Sequence, residues 1–326
     1  MNGSDVTPSP TGLIGHTGFV GGALLRQARF DACFNSANIA AIDGQTFGTL
    51  VCAAAPGSML EANRAPERDA AQVDALIARL ERVTAQRLVL ISSIAVLADF
   101  AGGDDETTQA FQQDLAYGRH RRALEAFVES RFPDSLIVRL PALFGAGLRK
   151  NFLFDLMNPV PSMLPEAKLA ALADALRGDL GAWLRSLYAP DPATGMLRLD
   201  RAALGADPRR ADLEAALEVM GATAVQFHHP GTTYQYYSID RLWQDIGFAL
   251  AAGLKHLHLA PEPLTAAAIH QRVMGRAMPQ TSARVHREDM HTRHAGLWGA
   301  EGPYQFDAAR TLDRLADFVA VQGGAA

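Results

Sequence analysis

Gly15-His16-Thr17-Gly18-Phe19-Val20-Gly21 stands between a short apolar run, Thr11 to Ile14, and a segment with helical periodicity from Gly22 to Arg29. Three glycines at this spacing have a mechanical reason where a strand feeds a helix. Gly15 permits the tight turn, Gly18 lets the backbone approach a bound pyrophosphate, and Gly21 lets helix and sheet pack closely. N–H groups at the helix start then face the phosphate charge. In a chain with 28 glycines the spacing alone arises easily by chance. Its place after the first strand and before a helix predicts a dinucleotide site, with His16, Thr17, Phe19 and Val20 completing the loop.

Outward from the loop, short apolar runs alternate with helical patterns. Asp31 to Asn35 reads as the second strand. Dinucleotide folds often end that strand with an acid for the ribose hydroxyls; Asn35 and Ser36 stand here instead, so the choice between NAD and NADP stays open. Thr49 to Ala55 is continuously apolar and too short for a helix, as a doubly covered parallel strand should be, and it brings Ala53, Ala54 and Ala55 beside the cofactor. Ala70 to Val83 and Leu115 to Arg131 read as helices, Arg87 to Ile91 and Leu136 to Leu140 as strands. This alternation predicts an α/β protein, a Rossmann-type doubly wound parallel sheet over residues 1–150. Beyond it the rhythm changes. Glu166 to Leu187 and Pro208 to Met220 read as helices of a smaller, mostly helical C-terminal substrate lobe, residues 151–326. Segments near 233–275 return to the first domain: a strand Thr233 to Tyr237, a helix Ile239 to Ala252 capped by Ser238, a strand His256 to Leu259 and a helix Leu264 to Met274. The last forty or so residues read as loop, ending in a helix from Ala308 to Val321.

Bulk properties narrow the class. The 326 residues, 48% hydrophobic and 20% charged, suit a globular cytoplasmic protein of one large core or two modest ones. A net charge of -5, with no basic stripe, excludes a nucleic-acid partner. No run reaches the roughly 18 apolar residues of a membrane span. The first ten residues are polar, without lysine or arginine, and do not read as a signal peptide. Cys33 and Cys52, the only cysteines, read as buried free thiols. Lysine occurs only at Lys150, Lys168 and Lys255, so nearly every basic side chain is arginine.

Chemistry gathers after the loop. Ser93 ends the RLVLI strand, Tyr117 opens a helix two dozen residues later, and Arg121 lies one turn beyond Tyr117 on the same face. A serine hydroxyl can orient a carbonyl, and a phenol, with its ordinary pKa near 10, can move a proton when a cation stands beside it.

With these residues the chain resembles the extended short-chain dehydrogenase/reductase family, the NAD-dependent epimerase/dehydratase group acting on nucleotide sugars. GHTGFVG is similar to the family's glycine signature, LISSIAVLA (Leu90–Ala98) to its strand-end serine motif, and YGRHRRALE (Tyr117–Glu125) to its Tyr-x-x-x-Lys helix. VRLPALFGAG (Val138–Gly147) resembles the strand and turn leading to the substrate lobe, and HLHLAPEPLTAAAI (His256–Ile269) a later strand, turn and helix. The resemblance covers most of the chain. It implies catalysis by Ser93, Tyr117 and Arg121, a nicotinamide ribose held by Tyr117 and Arg121, a nucleotide-sugar substrate and a homodimer. Three departures qualify it. Arg121 replaces the family lysine; it carries charge but is a poor proton relay. Gln72 stands where the family often has asparagine in the preceding helix. Ile94-Ala95 replaces the acidic pair of the 4,6-dehydratases, which disfavours dehydration and leaves reduction or epimerisation. The first two departures also motivate a rival, a catalytically silent dinucleotide-binding sensor or assembly protein.

Other signals are weaker. His286, His291 and His294 lack an accompanying carboxylate motif, so no metal site is assigned. Arg284 is the candidate for binding the substrate diphosphate by its guanidinium fork. Asn151 is either a substrate contact or a loop cap. Tyr234, Tyr236 and Tyr237 read as strand packing, and His228-His229-Pro230-Gly231 as a turn.

Overall fold

The structure, a computed structural model, describes residues 9–323; the reading of the extreme N-terminus falls, for residues 1–8, outside them. The chain divides into two compact units: Met1–Leu148 with Tyr234–Leu264 and Arg287–Arg314, and Arg149–Thr233 with Thr265–His286 and Leu315–Ala326.

The first unit is built on six parallel strands, β1 (Thr11–Ile14), β2 (Ala32–Phe34), β3 (Thr46–Cys52), β4 (Thr84–Ser93), β5 (Ser135–Leu140) and β6 (His256–His258). Their order is β6-β5-β4-β3-β1-β2. β1 has β2 on one side and β3 on the other, so the connections leave it in opposite directions. Such a switch point opens a crevice at the carboxyl ends of the strands. Alternation along the strands supplies two cores. Leu13, Val51, Val89, Ile91 and Val138 point into one, and Ile14, Leu50, Cys52, Leu88, Leu90 and Ile137 into the other. Helices cover both faces, which is why the strands read as continuous apolar runs rather than alternating ones.

Four helices carry the later argument: α1 (Phe19–Gln27), α2 (Met59–Arg64), α3 (Pro66–Leu80) and α4 (Ala116–Arg131). α1 begins three residues before the expected Gly22, because Gly18 already caps it. β3 ends at Cys52, three residues short of the expected Ala55, and the alanines form the turn beyond it. Ser238 is a further correction. It precedes a short 3-10 turn, Ile239–Arg241, and accepts no capping bond; its hydroxyl instead takes a bond from Arg314 at 3.1 Å. The strand expected over Thr233 to Tyr237 divides at Gln235, whose buried amide bonds the backbone of Pro261 and Met290. Tyr236 and Tyr237 are packed in the interior, and both cysteines are free thiols, Cys33 half-buried and Cys52 pushed by burial up to about 11.

The second unit has its own core, in which Leu164, Leu184, Leu213 and Leu217 are enclosed. The helix expected from Glu166 to Leu187 is two helices, Glu166–Ala175 and Leu180–Ser186, separated at Gly178 with a positive φ of 63°. A three-stranded antiparallel sheet of Met163–Leu164, Met196–Leu199 and Tyr188–Asp191 escaped the sequence reading, since strands of two to four residues show no period. Among the described residues no helix is long and apolar enough to cross a membrane.

Candidate active site

The glycine loop leaves β1 at its carboxyl end. Gly15 has φ +89°, and a Cβ there would lie 2.4 Å from the Ala53 carbonyl oxygen. A Cβ on Gly21 would lie 2.1 Å from the Gly15 oxygen. Packing within the protein therefore demands both glycines. Gly18 is different: it is exposed, and a Cβ would meet nothing nearer than the Gly15 oxygen at 3.4 Å. No contact within the protein demands a glycine at this position. Gly18 caps α1 without a side-chain acceptor, and no acid occupies the first turn, so no side chain of that turn offsets the positive end of the helix. Thr17 is exposed beside it, while Phe19 and Val20 pack against the core and seat the helix.

This geometry carries a prediction. Gly21→Ala drives a methyl into the loop backbone, an overpacking cost of about 3 kcal/mol, so dinucleotide affinity should fall about 100-fold. Isothermal titration with NADH and NADPH checks it; affinity within twofold of the parent would show that loop and helix are not held as described.

At the end of β2, the His16 ring bonds the Phe34 carbonyl through Nδ1 at 2.9 Å and meets the Asn35 amide through Nε2 at 3.5 Å. Asn35 Oδ1 accepts the Ala37 N–H at 2.9 Å, which turns that side chain into its own loop and leaves Ser36 exposed. Ala53, Ala54 and Ala55 lie half-buried after β3.

Ser93, Tyr117 and Arg121 come together at the end of β4. α4 reaches this place because Gly118 lets it lie against the turn after Ser93: a Cβ there would sit 1.9 Å from the Ala95 oxygen. Asn63 of α2 accepts the Tyr117 N–H at 3.0 Å and fixes the helix start. The Arg121 guanidinium stacks 3.9 Å from the centre of the Tyr117 ring, and Ser93 is within hydrogen-bonding reach of the phenol. Burial pushes the phenol above its usual range; Arg121 and Ser93 pull it down, Asp69 pushes it up, and the net direction is upward.

Asp69 is the participant that sequence reasoning missed. Gln72, the residue matched to the family asparagine, is exposed on α3; Asp69, one turn earlier, is 4% exposed and faces Arg121. Its carboxylate accepts from Arg121 at 2.5 Å and from His120 Nδ1 at 2.7 Å. Burial raises the Asp69 carboxyl, but those two partners outweigh it and hold it below the usual range, so it is ionised. Arg121 also donates to the Pro56 carbonyl, while its Nε is buried without a hydrogen-bond partner. That orphaned donor fits a dinucleotide ribose hydroxyl.

The remaining candidates lie in the second unit. Asn151 caps the helix Phe152–Met157, its Oδ1 accepting from Phe154 N at 3.1 Å, with φ 132°. Arg284 is exposed on the loop after residue 275. Among the described residues no cluster of three or more metal-binding side chains occurs; His291 instead lies against Tyr304 and Asp289.

No protein-family model matches the sequence, and no curated protein does. Solved structures do match in fold. A dTDP-4-dehydrorhamnose reductase from Bacillus anthracis in complex with NADP superposes with a TM-score of 0.60 at 13% identity, over 98% of this chain and 100% of that one. A UDP-N-acetylglucosamine 4-epimerase from Methanobrevibacter ruminantium in complex with UDP-N-acetylmuramic acid gives 0.58 at 9% identity, over 98% and 99%. MoeE5 in complex with UDP-glucose and NAD gives 0.56 at 12% identity, over 96% and 99%. The chain therefore has a Rossmann-type α/β fold. More narrowly, it shares the fold of these reductases and epimerases along nearly its whole length.

Proposed function

We propose that the chain is an NAD- or NADP-dependent oxidoreductase or epimerase of a nucleotide-activated sugar. The observation that carries this is the convergence of Ser93, Tyr117 and Arg121 at the end of β4, on a fold shared with sugar-nucleotide enzymes over 96–98% of the chain. A merely binding protein has no need to bring a serine and a phenol together there.

Gly15 to Val20 would hold the pyrophosphate, Asn35 and Ser36 the adenosine ribose, and Ala53 to Ala55 the neighbouring wall. Tyr117 and the Arg121 Nε would hold the nicotinamide ribose; the bound nicotinamide supplies or accepts a hydride. Ser93 orients the sugar oxygen, Tyr117 moves its proton, and Arg121 holds the phenol ring by stacking. Arg284 is the proposed guanidinium for the substrate diphosphate, and Asn151 a proposed substrate contact besides its capping bond. Ile94 and Ala95, both buried, provide no acid for dehydration. A homodimer in the cytoplasm goes with this reading.

The experiment is turnover of NADH and NADPH with a panel of 4-keto nucleotide sugars, with the products separated and identified. Reduced or epimerised sugar supports the proposal. Unchanged sugar across the panel, in both redox directions, overturns it.

A further inference from the structure

We propose that Asp69 offsets the Arg121 charge at the buried Tyr117 phenol and so biases the site toward giving a proton, that is, toward ketone reduction rather than alcohol oxidation. This rests on the reading of Ser93 and Tyr117 as the hydride-transfer pair and gives that pair a direction.

The argument starts from charge. A cation stacked on a phenol favours the phenolate, the form that removes a proton from an alcohol. Here the cation is not free to act alone. Arg121 is 2% exposed and Asp69 4% exposed, and their contact is 2.5 Å, so in this poorly screened interior Asp69 offsets part of the Arg121 charge at the phenol, and burial of the hydroxyl carries the balance toward the protonated form. The charged groups that bear on the phenol are Arg121 on its own helix and Asp69 on α3. From β4 it meets the uncharged Ser93, and from α2 the neutral Asn63 holds its backbone. His120 acts on Asp69, sharing the same carboxylate oxygen as Arg121. A lysine at position 121 would present a compact, freely aimed charge; arginine divides its donors between Asp69 and the Pro56 carbonyl and holds the guanidinium flat on the ring.

A neutral phenol can do one half of the chemistry. The ketone carbon takes a hydride from the reduced nicotinamide dinucleotide, and the C=O π pair becomes an O–H bond with the Tyr117 proton. The ketone is reduced to a secondary alcohol and the nicotinamide is oxidised; the phenolate left on Tyr117 regains a proton from water. The reverse reaction needs the phenolate first, and an epimerase must run both directions within one turnover. Asp69 is thus a positioning residue acting through Arg121.

The test is a phenolate absorbance titration that needs no substrate. Subtracting the Tyr117→Phe curve isolates Tyr117. Tyr117 should show no phenolate up to about pH 9, given the ordinary value near 10. Asp69→Asn, which keeps the shape and removes the charge, should bring its titration down by about one pH unit or more. Asp69→Glu should restore the parent curve. With a turnover assay in hand, Asp69→Asn should also raise oxidation relative to reduction at pH 7 through kcat, with little change in KM. Phenolate appearing by pH 8 in the parent protein, or a Tyr117 titration unmoved by Asp69→Asn, would overturn the inference. If Asp69→Asn does not fold, Asp69→Ser, which also removes the charge, is read for the same downward shift, and its absence overturns the inference. The expected titrations without turnover on any sugar would count against the proposed function alone.

Discussion

Tyr117→Phe should lower kcat for ketone reduction by about 10²–10⁴-fold, the usual contribution of a positioned acid, while dinucleotide affinity falls by no more than about tenfold, the loss of one hydroxyl bond to the nicotinamide ribose. The expectation follows from where the hydroxyl stands. Arg121 stacks on the ring as well as bonding the hydroxyl, so phenylalanine keeps the stacking contact and the helix keeps its shape. The Asn63 bond goes to the backbone of residue 117 and survives as well. What disappears is the proton aimed at the developing alkoxide and the hydroxyl beside Ser93. A fall in kcat with KM held is the mark of an interaction made only in the transition state. Turnover of NADPH or NADH with the substrate identified in the panel measures it, beside a binding titration with the same cofactor. Activity within threefold of the parent would remove Tyr117 from the chemistry.

How far the sequence alone carries this depends on the range of the contacts. The glycine loop was legible because each glycine answers a local demand between a strand and its own helix, and Thr11–Ile14 was placed to the residue. Tyr117 and Arg121 were legible together because one helical turn separates them, and the structure stacks them as the spacing requires. Asp69 was not. Its role depends on the angle at which α3 meets α4, and the expected Gln72 lies on the adjacent turn with its side chain outward. Asn63 lies in a six-residue helix that the reading missed entirely. The edges of β2 and β3 were blurred because an apolar run such as Thr49 to Ala55 does not mark where its ladder stops; the bond from Ala53 N to Ile14 O is a single contact beyond Cys52, where the strand ends. In the second unit, two- to four-residue strands carry no pattern at all.

The buried ion pair behind the site should show the second large effect, as stability rather than rate. Glu125 on α4 is fully buried and accepts two bonds from Arg139 of β5, at 3.0 and 2.8 Å, and one from the Ser92 hydroxyl at 2.6 Å. Arg139 is 1% exposed, and its third nitrogen meets His258 Nε2 at 3.0 Å. Burial, with Arg139 beside it, lowers the His258 pKa, so the ring is neutral; its Nδ1–H can then donate to the His291 carbonyl while Nε2 accepts from Arg139. Glu125→Leu strands the Arg139 cation with one neutral acceptor, and removing one partner of such a pair costs about 3–5 kcal/mol. Arg139→Met should cost less, because Glu125 keeps Arg122 at 3.1 Å and the Ser92 hydroxyl. The double variant Glu125→Leu/Arg139→Met buries no charge at this point and should lose about 1–3 kcal/mol less than the sum of the two single losses. Urea unfolding of the four proteins measures the cycle, and simple additivity of the two losses would show that the pair is not a unit. The double variant also separates stability from catalysis. Folded, it lacks the Ser92–Glu125 bond, which ties the strand position next to Ser93 to the helix that carries Tyr117. A folded double variant with lowered kcat would assign that bond to positioning the two hydroxyls, and one with full kcat would leave it to stability alone.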